Sequence, residues 1–388
     1  MKGPRLLTGL ALLCTASLLL GGCGGSKSGG TTSAGGSGDI PVGVYASKTG
    51  NTAGFGITTV NGTLLAADEV NAAGGVKGRK LKLIVEDDKS DPQEASVAVS
   101  KLINQDGVVA VLGEVASTRS LAAAPICQNS QVPMISPSST NTEVTKKGNY
   151  IFRICFIDPF QGSVMAKFAR QTLKLDRVAI LKDSSQDYSV GLADAFRKSF
   201  TQSGGTITAE VAYAAKDTDF RSQLSVIKNG QPQGIYVPGY YQEAGLIAKQ
   251  ARDLGITVPL MGGDGWDDPQ LLKIAGAAAE GNYFSNHYSV DSTAPQSRKF
   301  VDAYVKRYGE KPNALAALGY DSLKILVAAM EKAKSLSGPD LRDAIAATKN
   351  FPAVTGTITL NAERNAVKPA VVLQIEKGQH KYVATVQP

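Results

Sequence analysis

The sequence has 388 residues, a formal net charge of +7, and hydrophobic and charged fractions of 43% and 19%. These fractions are typical of a globular protein, and the length after the N-terminal region allows two domains. Basic residues are spread along the chain without an arginine-rich block among aromatic residues, which argues against a nucleic-acid partner. No later apolar run is long enough to span a bilayer.

The N-terminal region predicts export from the cytoplasm. Two basic residues precede an apolar run over 6–20, shorter than the roughly 20 residues of a spanning helix. This pattern predicts a signal peptide over 1–22. The small residues before Cys23 resemble a bacterial lipobox, so Cys23 is expected to carry lipid, and the Gly/Ser-rich tract over 23–38 to act as a tether. The expected location is the cell envelope, facing the periplasm or the exterior; an ordinary cleaved signal is the alternative.

The next part of the chain alternates short β-branched runs with helical stretches. The pattern predicts strands over 40–45, 81–86, 108–112 and 132–136. Helices are predicted between them over 55–73, 92–105 and 119–130. The run 108–112 is continuously apolar, which is typical of a strand buried on both faces. This alternation predicts an α/β fold with a parallel, doubly wound sheet.

The same rhythm then starts again. A second set has predicted helices over 161–173, 189–203, 219–228 and 242–254 and strands over 178–181, 206–211, 235–237 and 259–261. The C-terminal part predicts helices over 295–308, 313–334 and 338–348 and antiparallel strands near 357–359, 371–375 and 382–386. Two similar α/β lobes with a cleft between them are therefore expected. Because ligands bind at the carboxyl ends of strands in such sheets, the cleft is the predicted site.

The residues give little support to an enzyme. The chain has two histidines, His287 and His380, which are far apart in sequence, so a zinc site or a histidine-based triad is poorly supported. The acidic residues Asp264, Asp267 and Asp268 lack the spacing of a calcium loop. No G-x-S-x-G motif occurs. We therefore predict a protein that is not an enzyme and needs no metal or cofactor.

Two cysteines remain after the signal peptide and the lipidated residue are set aside. Cys127 is predicted on a helix and Cys155 on a nearby strand, and one disulfide between them is conceivable in an oxidising compartment. Their spacing alone does not decide between a disulfide and two free thiols.

Five segments, in matching order and spacing, resemble the leucine/isoleucine/valine-binding proteins, the branched-chain amino acid receptors of ABC transporters. They are DEVNAAGGVKGR at 68–79, EDD at 86–88, PMISPSSTN at 133–141, GYYQEAG at 239–245 and MGGDG at 261–265. The resemblance implies a type I periplasmic-binding fold, in which two Rossmann-like doubly wound lobes are joined by a three-strand hinge. It implies a first lobe over 39–157 plus 286–352 and a second lobe over 158–285 plus 353–388.

A free amino acid carries a carboxylate and an ammonium group, and both must be hydrogen-bonded once they lose water in a closed cleft. The resemblance implies that Ser117 and Thr140 bind the carboxylate, while the backbone carbonyl of Ser138 and the side chain of Asp264 bind the ammonium. Asp264 stands where the family has a glutamate, which is one methylene longer. Alternative interpretations are a simple helix N-cap for Ser117, a turn residue for Thr140 and a loop aspartate for Asp264.

Four aromatic residues complete the predicted site. By resemblance, Tyr188 and Tyr240 close over the ligand from the second lobe, and Phe55 faces the ligand side chain. Trp266 follows Asp264 closely enough to line the same pocket, but a place on the surface or in the core is an equal alternative. The alternative for both tyrosines is packing against the hinge.

Glu114 and Arg119 flank Ser117 and could read a polar ligand side chain or pair with each other. The resemblance implies a monomeric solute-binding lipoprotein that closes its lobes on a branched-chain or other apolar amino acid and delivers it to the permease subunits of an ABC importer. Binding of amides, urea or aromatic acids is the alternative within transport. A ligand-sensing receptor component is the alternative outside it.

Overall fold

Five parallel strands from the first part of the chain form one sheet in a computed structural model that describes residues 38–388. The strands, in the order β2-β1-β3-β4-β5, are β1 Ile40–Ala46, β2 Leu81–Asp87, β3 Val111–Leu112, β4 Met134–Ser136 and β5 Ile151–Arg153. The helices are α1 Ala53–Ala72, α2 Pro92–Asn104, α3 Ser117–Asn129 and α4 Glu143–Lys146. The predicted signal peptide, Cys23 and nearly all of the predicted tether lie outside the described residues.

A second sheet of seven strands follows, in the order β15-β14-β10-β9-β8-β6-β7. Its strands are β6 Arg177–Asp183, β7 Thr206–Tyr213, β8 Gly234–Tyr236, β9 Leu260–Gly262, β10 Tyr283–Asn286, β14 Ala370–Glu376 and β15 Gln379–Val386. Its helices are α5 Asp158–Lys167, α6 Asp187–Gln202, α7 Arg221–Asn229, α8 Tyr241–Asp253 and α9 Pro269–Ala275. The pairs β10–β14 and β14–β15 are antiparallel and the other pairs are parallel.

Three late helices and a small sheet complete the described chain. They are α10 Pro295–Tyr308, α11 Ala314–Lys332 and α12 Gly338–Ala346, then β11 Phe351–Ala353, β12 Gly356–Leu360 and β13 Ala366–Val367 in an antiparallel sheet. Helices α10 and α11 pack on α1, and the Tyr308 hydroxyl donates to the Asn61 carbonyl at 2.8 Å. The chain thus passes between the two lobes after β5, after β10 and before β14. The predicted two-lobed, doubly wound α/β class is confirmed.

The small sheet bears on where the lobes divide. The Arg364 guanidinium, between β12 and β13, donates to the carbonyls of Ile151 at 3.1 Å and Thr145 at 2.8 Å. These contacts tie the segment 353–367 to the first lobe, although the resemblance assigns it to the second. The lobe limits given above stay a prediction.

Several elements differ from the sequence-based expectation. Strand β3 covers only two residues of the predicted run 108–112, because pairing with β4 begins at Val111. Strands β5 and β10 were not predicted, since Ile151–Arg153 and Tyr283–Asn286 are short and end in polar residues. The helix predicted over 161–173 begins at Asp158 and ends in a wider π-helical turn over Phe168–Thr172.

The two cysteines are free thiols, so the conceivable disulfide is not formed. Cys127 packs with apolar residues of α2, α3 and the first sheet. Cys155 lies in the crossover after β5, where its thiol donates to the Ser139 carbonyl at 3.4 Å. The two side chains therefore belong to different surroundings, and burial raises the pKa of both thiols to about 12.

Close packing of α1 on α11 depends on glycine. A Cβ added at Gly62 would lie 1.8 Å from the backbone carbonyl oxygen of Ala316, and one at Gly319 would lie 2.2 Å from that of Thr59. Neither contact can relax by a side-chain rotation, because the opposing atom belongs to a helix backbone. The two helices would have to separate to admit a methyl group.

We expect Gly62→Ala to destabilise the fold by about 1–3 kcal/mol, the usual cost of overpacking a core, despite the better helix propensity of alanine. Urea unfolding of residues 38–388, which form one compact unit, measures this change. Ile57→Ala is the matched control, because Ile57 lies in the same helix and is 46% exposed; its effect should stay within about 0.5 kcal/mol. Equal stability of Gly62→Ala and the unsubstituted protein would contradict the packing argument.

Candidate functional site

The two lobes meet where the carboxyl ends of their strands face each other. Asn141, after β4, donates from its side-chain amide to the Asp187 carbonyl at 2.8 Å, and the Asp187 N–H donates to the Thr118 hydroxyl at 3.0 Å. On the other side, the Gly54 N–H donates to the Tyr241 hydroxyl at 3.3 Å. These hydrogen bonds join α1, α3 and the loop after β4 to α6 and α8, so the cleft is closed in this structure.

A small cavity lies inside the closed cleft. Its walls are formed by Phe55, Val115, Ser138, Tyr188, Tyr240, Asp264, Gly265 and Leu315. Five of the eight predicted ligand-binding residues thus come together from both lobes around one cavity. Most of its wall is apolar or aromatic, and Asp264 is its one ionisable carboxylate.

The aromatic part of the wall is a contiguous stack. Tyr188 and Tyr240 lie parallel, with ring centroids 5.2 Å apart, and Phe55 meets Tyr240 edge-on at 5.4 Å. Such pairs stabilise a packed interface beyond the area they bury. Burial raises the pKa of both tyrosine hydroxyls well above their usual range, so they remain neutral. This aromatic part of the wall therefore offers a flat apolar surface without a charged group.

Asp264 accepts hydrogen bonds on both carboxylate oxygens. Oδ1 accepts from the Gln161 amide at 2.8 Å and the Tyr188 hydroxyl at 2.9 Å. Oδ2 lies 2.9 Å from His287 Nε2 and accepts from the Ser138 hydroxyl at 3.3 Å. Among residues 38–388, no lysine or arginine nitrogen lies within 4.0 Å of this carboxylate. Asp264 is thus well hydrogen-bonded but is not neutralised by a cationic side chain.

Ser117 and Thr140 lie beside the cavity but not on its wall. Ser117 is the first residue of α3, and its hydroxyl accepts from the Asn141 N–H at 3.2 Å. The Thr140 hydroxyl is buried and makes no hydrogen bond of good geometry with the described residues. The first N–H groups of a helix attract anions. The structure therefore puts the Ser117 hydroxyl at the N-terminus of α3 and the Thr140 hydroxyl beside Asp158.

Trp266 belongs to the core rather than to the cavity wall. Its indole N–H donates to the Val237 carbonyl at 3.1 Å, and its ring packs towards Phe284. The side chain is 1% exposed. Two residues along a tight turn were enough to direct it to the opposite side from Asp264. The core interpretation considered for this residue fits its surroundings.

Glu114 and Arg119 pair with each other. Arg119 Nε lies 3.1 Å from Glu114 Oε2, and the Arg119 guanidinium donates to the Thr52 hydroxyl at 2.8 Å. Asp88 is part of the same buried cluster, 3.9 Å from Arg119. Burial and the nearby charge of Glu114 raise the pKa of Asp88 to about 8. The charges of Glu114 and Arg119 therefore compensate each other within this buried cluster.

Three residues that sequence reasoning missed lie at the site. Gln161 and His287 bind Asp264, and Asp158 is fully buried at the start of α5 next to Thr140. Neither carboxylate oxygen of Asp158 has a hydrogen-bond partner of good geometry among residues 38–388. Asp158 and Gln161, just before and at the start of the predicted helix, were the available signal. No signal of this kind marked His287.

Within the described part of the chain, no group of three or more His, Cys, Asp or Glu side chains is arranged to hold a metal ion. None of the helices over 38–388 combines the length and apolar character needed to cross a bilayer.

Comparison with known proteins defines the class to which this fold and cleft belong. The family model described as periplasmic binding protein matches residues 39–380. The Leu/Ile/Val-binding protein BraC3 of Rhizobium johnstonii is 32% identical over 83% of this chain and 87% of its own length. The chain belongs to the periplasmic binding proteins, in the branch of the leucine/isoleucine/valine-binding proteins. Proteins of this family bind solutes outside the cytoplasm and are not enzymes.

Two solved structures support the same assignment. The leucine-binding protein LivK of Thermotoga maritima has a TM-score of 0.87 and 39% identity, covering 90% of this chain and 99% of its own. LivJ of Streptococcus pneumoniae, solved in complex with isoleucine, has a TM-score of 0.86 and 35% identity, covering 90% of this chain and 100% of its own. The family predicted from the sequence is confirmed.

Asp158 makes the stability of the protein depend on pH. Burial raises its pKa to about 8 from an ordinary value of 3.8, with Asp264 adding to the rise. Between these values the folded state holds a proton that the unfolded state releases, so this residue contributes stability below about pH 4 that is lost as pH rises towards 8. We expect the melting temperature of Asp158→Asn, relative to the unsubstituted protein, to rise steadily from pH 4 to pH 8. Asp302→Asn, at an exposed position, is the control. A constant difference across this range would show that Asp158 titrates normally.

Proposed function

We propose that this chain is the solute-binding component of an ABC importer and that it binds a branched-chain or other apolar α-amino acid between its lobes. The observation that carries this proposal is the Asp264 carboxylate on a wall that is mostly apolar and aromatic. A cationic group beside an aliphatic side chain matches that combination. The names of the relatives, which include leucine-, isoleucine- and valine-binding proteins, agree with it.

The ammonium end of such a ligand has two acceptors in the cavity. Asp264 supplies the charge, and the Ser138 carbonyl, which accepts no hydrogen bond from the described residues, supplies a second oxygen. Both belong to residues that line the cavity from opposite lobes. A ligand bound here would therefore link the two lobes through its ammonium group, which favours the closed arrangement.

The carboxylate end requires donors, and we assign it to Ser117 and Thr140. The Ser117 hydroxyl lies at the N-terminus of α3, where the helix dipole favours an anion. The Thr140 hydroxyl is buried without a partner of good geometry, so a ligand oxygen would satisfy it. The aliphatic side chain would then face Phe55, Tyr188 and Tyr240.

Delivery to a permease and anchorage by lipid on Cys23 complete the proposal. The signal-like residues 1–22 and the Gly/Ser-rich tract over 23–38 support a domain that works near a membrane from a tether. In this scheme, hinge closure around the amino acid presents both lobe surfaces to the permease. We expect the protein to act as a monomer.

Ligand class is tested by a thermal-shift screen of residues 38–388 with the common amino acids, urea, short amides and aromatic acids. A micromolar ligand at millimolar concentration stabilises the folded state by about 4 kcal/mol. We expect a clear shift with leucine, isoleucine or valine. Shifts confined to compounds without an α-amino group would overturn the ammonium site and favour the amide, urea or aromatic-acid alternative.

The ammonium site is tested by comparing two substitutions in the cavity wall. Asp264→Ala removes the only charged partner of the ammonium and should weaken leucine binding by about 2–5 kcal/mol. Phe55→Leu keeps apolar contact and should cost less than about 1.5 kcal/mol. Isothermal titration calorimetry measures both. Equal losses would contradict the assignment of Asp264 as the ammonium acceptor.

A further inference from the structure

The hydrogen bonds of Asp264 are divided unequally between the lobes. Gln161 and Tyr188 come from α5 and α6 of the lobe that carries Asp264, and His287 directly follows β10, at the start of the crossover to α10. Their distances are 2.8, 2.9 and 2.9 Å. Among residues 38–388, Ser138 is the one donor from the opposite lobe, and its contact of 3.3 Å is the longest. An ionised carboxylate has about four acceptor positions. Three of these positions on Asp264 are occupied by Gln161, Tyr188 and His287.

Ser138 therefore marks the position that a ligand can take. A ligand ammonium that approaches from the first lobe would replace the Ser138 hydroxyl at Oδ2, because that contact is the weakest. The ammonium would then share Oδ2 with His287. Thus His287 is the protein group that is hydrogen-bonded to the same oxygen as the incoming cation.

His287 is held rigidly between two of the chain crossovers. It begins the crossover from β10 to α10, and its ring stacks on Phe156 of the crossover from β5 to α5, with centroids 3.8 Å apart. The side chain is completely buried. The position of the ring is therefore set by the hinge and not by the cavity wall.

The surroundings of the ring favour a neutral donor. His287 Nδ1 is buried without a hydrogen-bond partner among the described residues, so a second N–H there would be unsatisfied. Burial lowers the pKa of His287, and the nearby Asp264 only partly opposes this effect. A neutral imidazole must donate from Nε2 to reach the carboxylate. Such a donor forms a hydrogen bond with Oδ2 but leaves the negative charge of Asp264 in place. A lysine or arginine would cancel that charge.

We propose that His287 is a positioning residue that fixes Asp264 as an ionised acceptor directed at the first lobe, and that it thereby makes the site selective for ligands with an α-ammonium group. The inference rests on the proposed amino acid binding and adds a residue to it. Deaminated analogues, such as the corresponding carboxylic and 2-oxo acids, would leave the Asp264 charge uncompensated in a closed cleft. His287 acts on ligand choice only through Asp264.

A double-mutant cycle separates this role from general support of the fold. Leucine affinity is measured by calorimetry for residues 38–388 and for H287F, D264A and the double variant. We expect H287F to weaken binding at least tenfold when Asp264 is present, but less than threefold in the D264A background. H287Q, whose amide can donate from a similar position, should recover most of the loss. Equal losses from H287F in both backgrounds would overturn the proposal.

The outcomes also distinguish this inference from the proposed function. If the unsubstituted protein binds no α-amino acid, the proposed function fails and the selectivity role fails with it. If it binds leucine and the cycle is additive, only the role of His287 is overturned. Thermal melts of each variant identify loss of folding, and H287Q provides the decisive comparison if H287F does not fold.

The tautomer is tested directly by NMR of imidazole nitrogens. The chain has only two histidines, so H380Q assigns the signals of His287. We expect His287 to be the neutral tautomer protonated at Nε2 throughout pH 6–8, with an Nε2 signal that moves when leucine is added. A ring protonated at Nδ1, or on both nitrogens, would contradict the proposed donor.

Discussion

A negative charge enclosed between two lobes is the constraint on which the rest of the site depends. A buried carboxylate is costly unless its oxygens are hydrogen-bonded, and a charge with no counter-ion remains unfavourable even then. Asp264 has the hydrogen bonds from Gln161, Tyr188, Ser138 and His287 but no cationic side chain within ion-pair distance among the described residues. The closed cleft is therefore an environment that a ligand cation would stabilise. In the proposed function, binding of a cationic ligand group and closure of the lobes would therefore both depend on the Asp264 carboxylate.

Close approach of the lobes also depends on small residues at the rim of the cleft. Asp268 caps α9 with one oxygen, which accepts from the Gln270 N–H at 2.8 Å. Its other oxygen would lie 1.9 Å from a Cβ placed at Gly54 in the first turn of α1. The absence of a side chain at Gly54 thus lets a carboxylate of the second lobe approach the first turn of a first-lobe helix. Burial at this contact raises the pKa of Asp268 to about 6.

The sequence predicted the layers of the fold better than the contacts between them. Alternating apolar runs identify most strands, because a parallel sheet buries both faces of each strand. They do not identify β5 or β10, whose polar ends resemble loops. For the same reason His287 gave no signal: its contact with Asp264 follows from the neighbouring positions of β9 and β10 in the sheet. Trp266 shows the converse problem, since proximity in sequence to Asp264 suggested a shared pocket that the turn does not allow.

That turn connects Asp264 with the core of the second lobe and with the opposite lobe. Asp264 faces the cavity, the Gly265 N–H donates to the hydroxyl of Tyr188, and the Trp266 indole is fixed to the core by the Val237 carbonyl. Asp267 accepts from the Ala314 N–H of the first-lobe helix α11 at 2.7 Å. Consecutive residues thus contact the site, the second-lobe core and the opposite lobe. Asp264 and Trp266 share one short 3₁₀ turn, and Asp267 directly follows it. A displacement of Asp264 would therefore act on the indole and on the contact with α11, which would connect occupation of the proposed ligand site to the angle between the lobes.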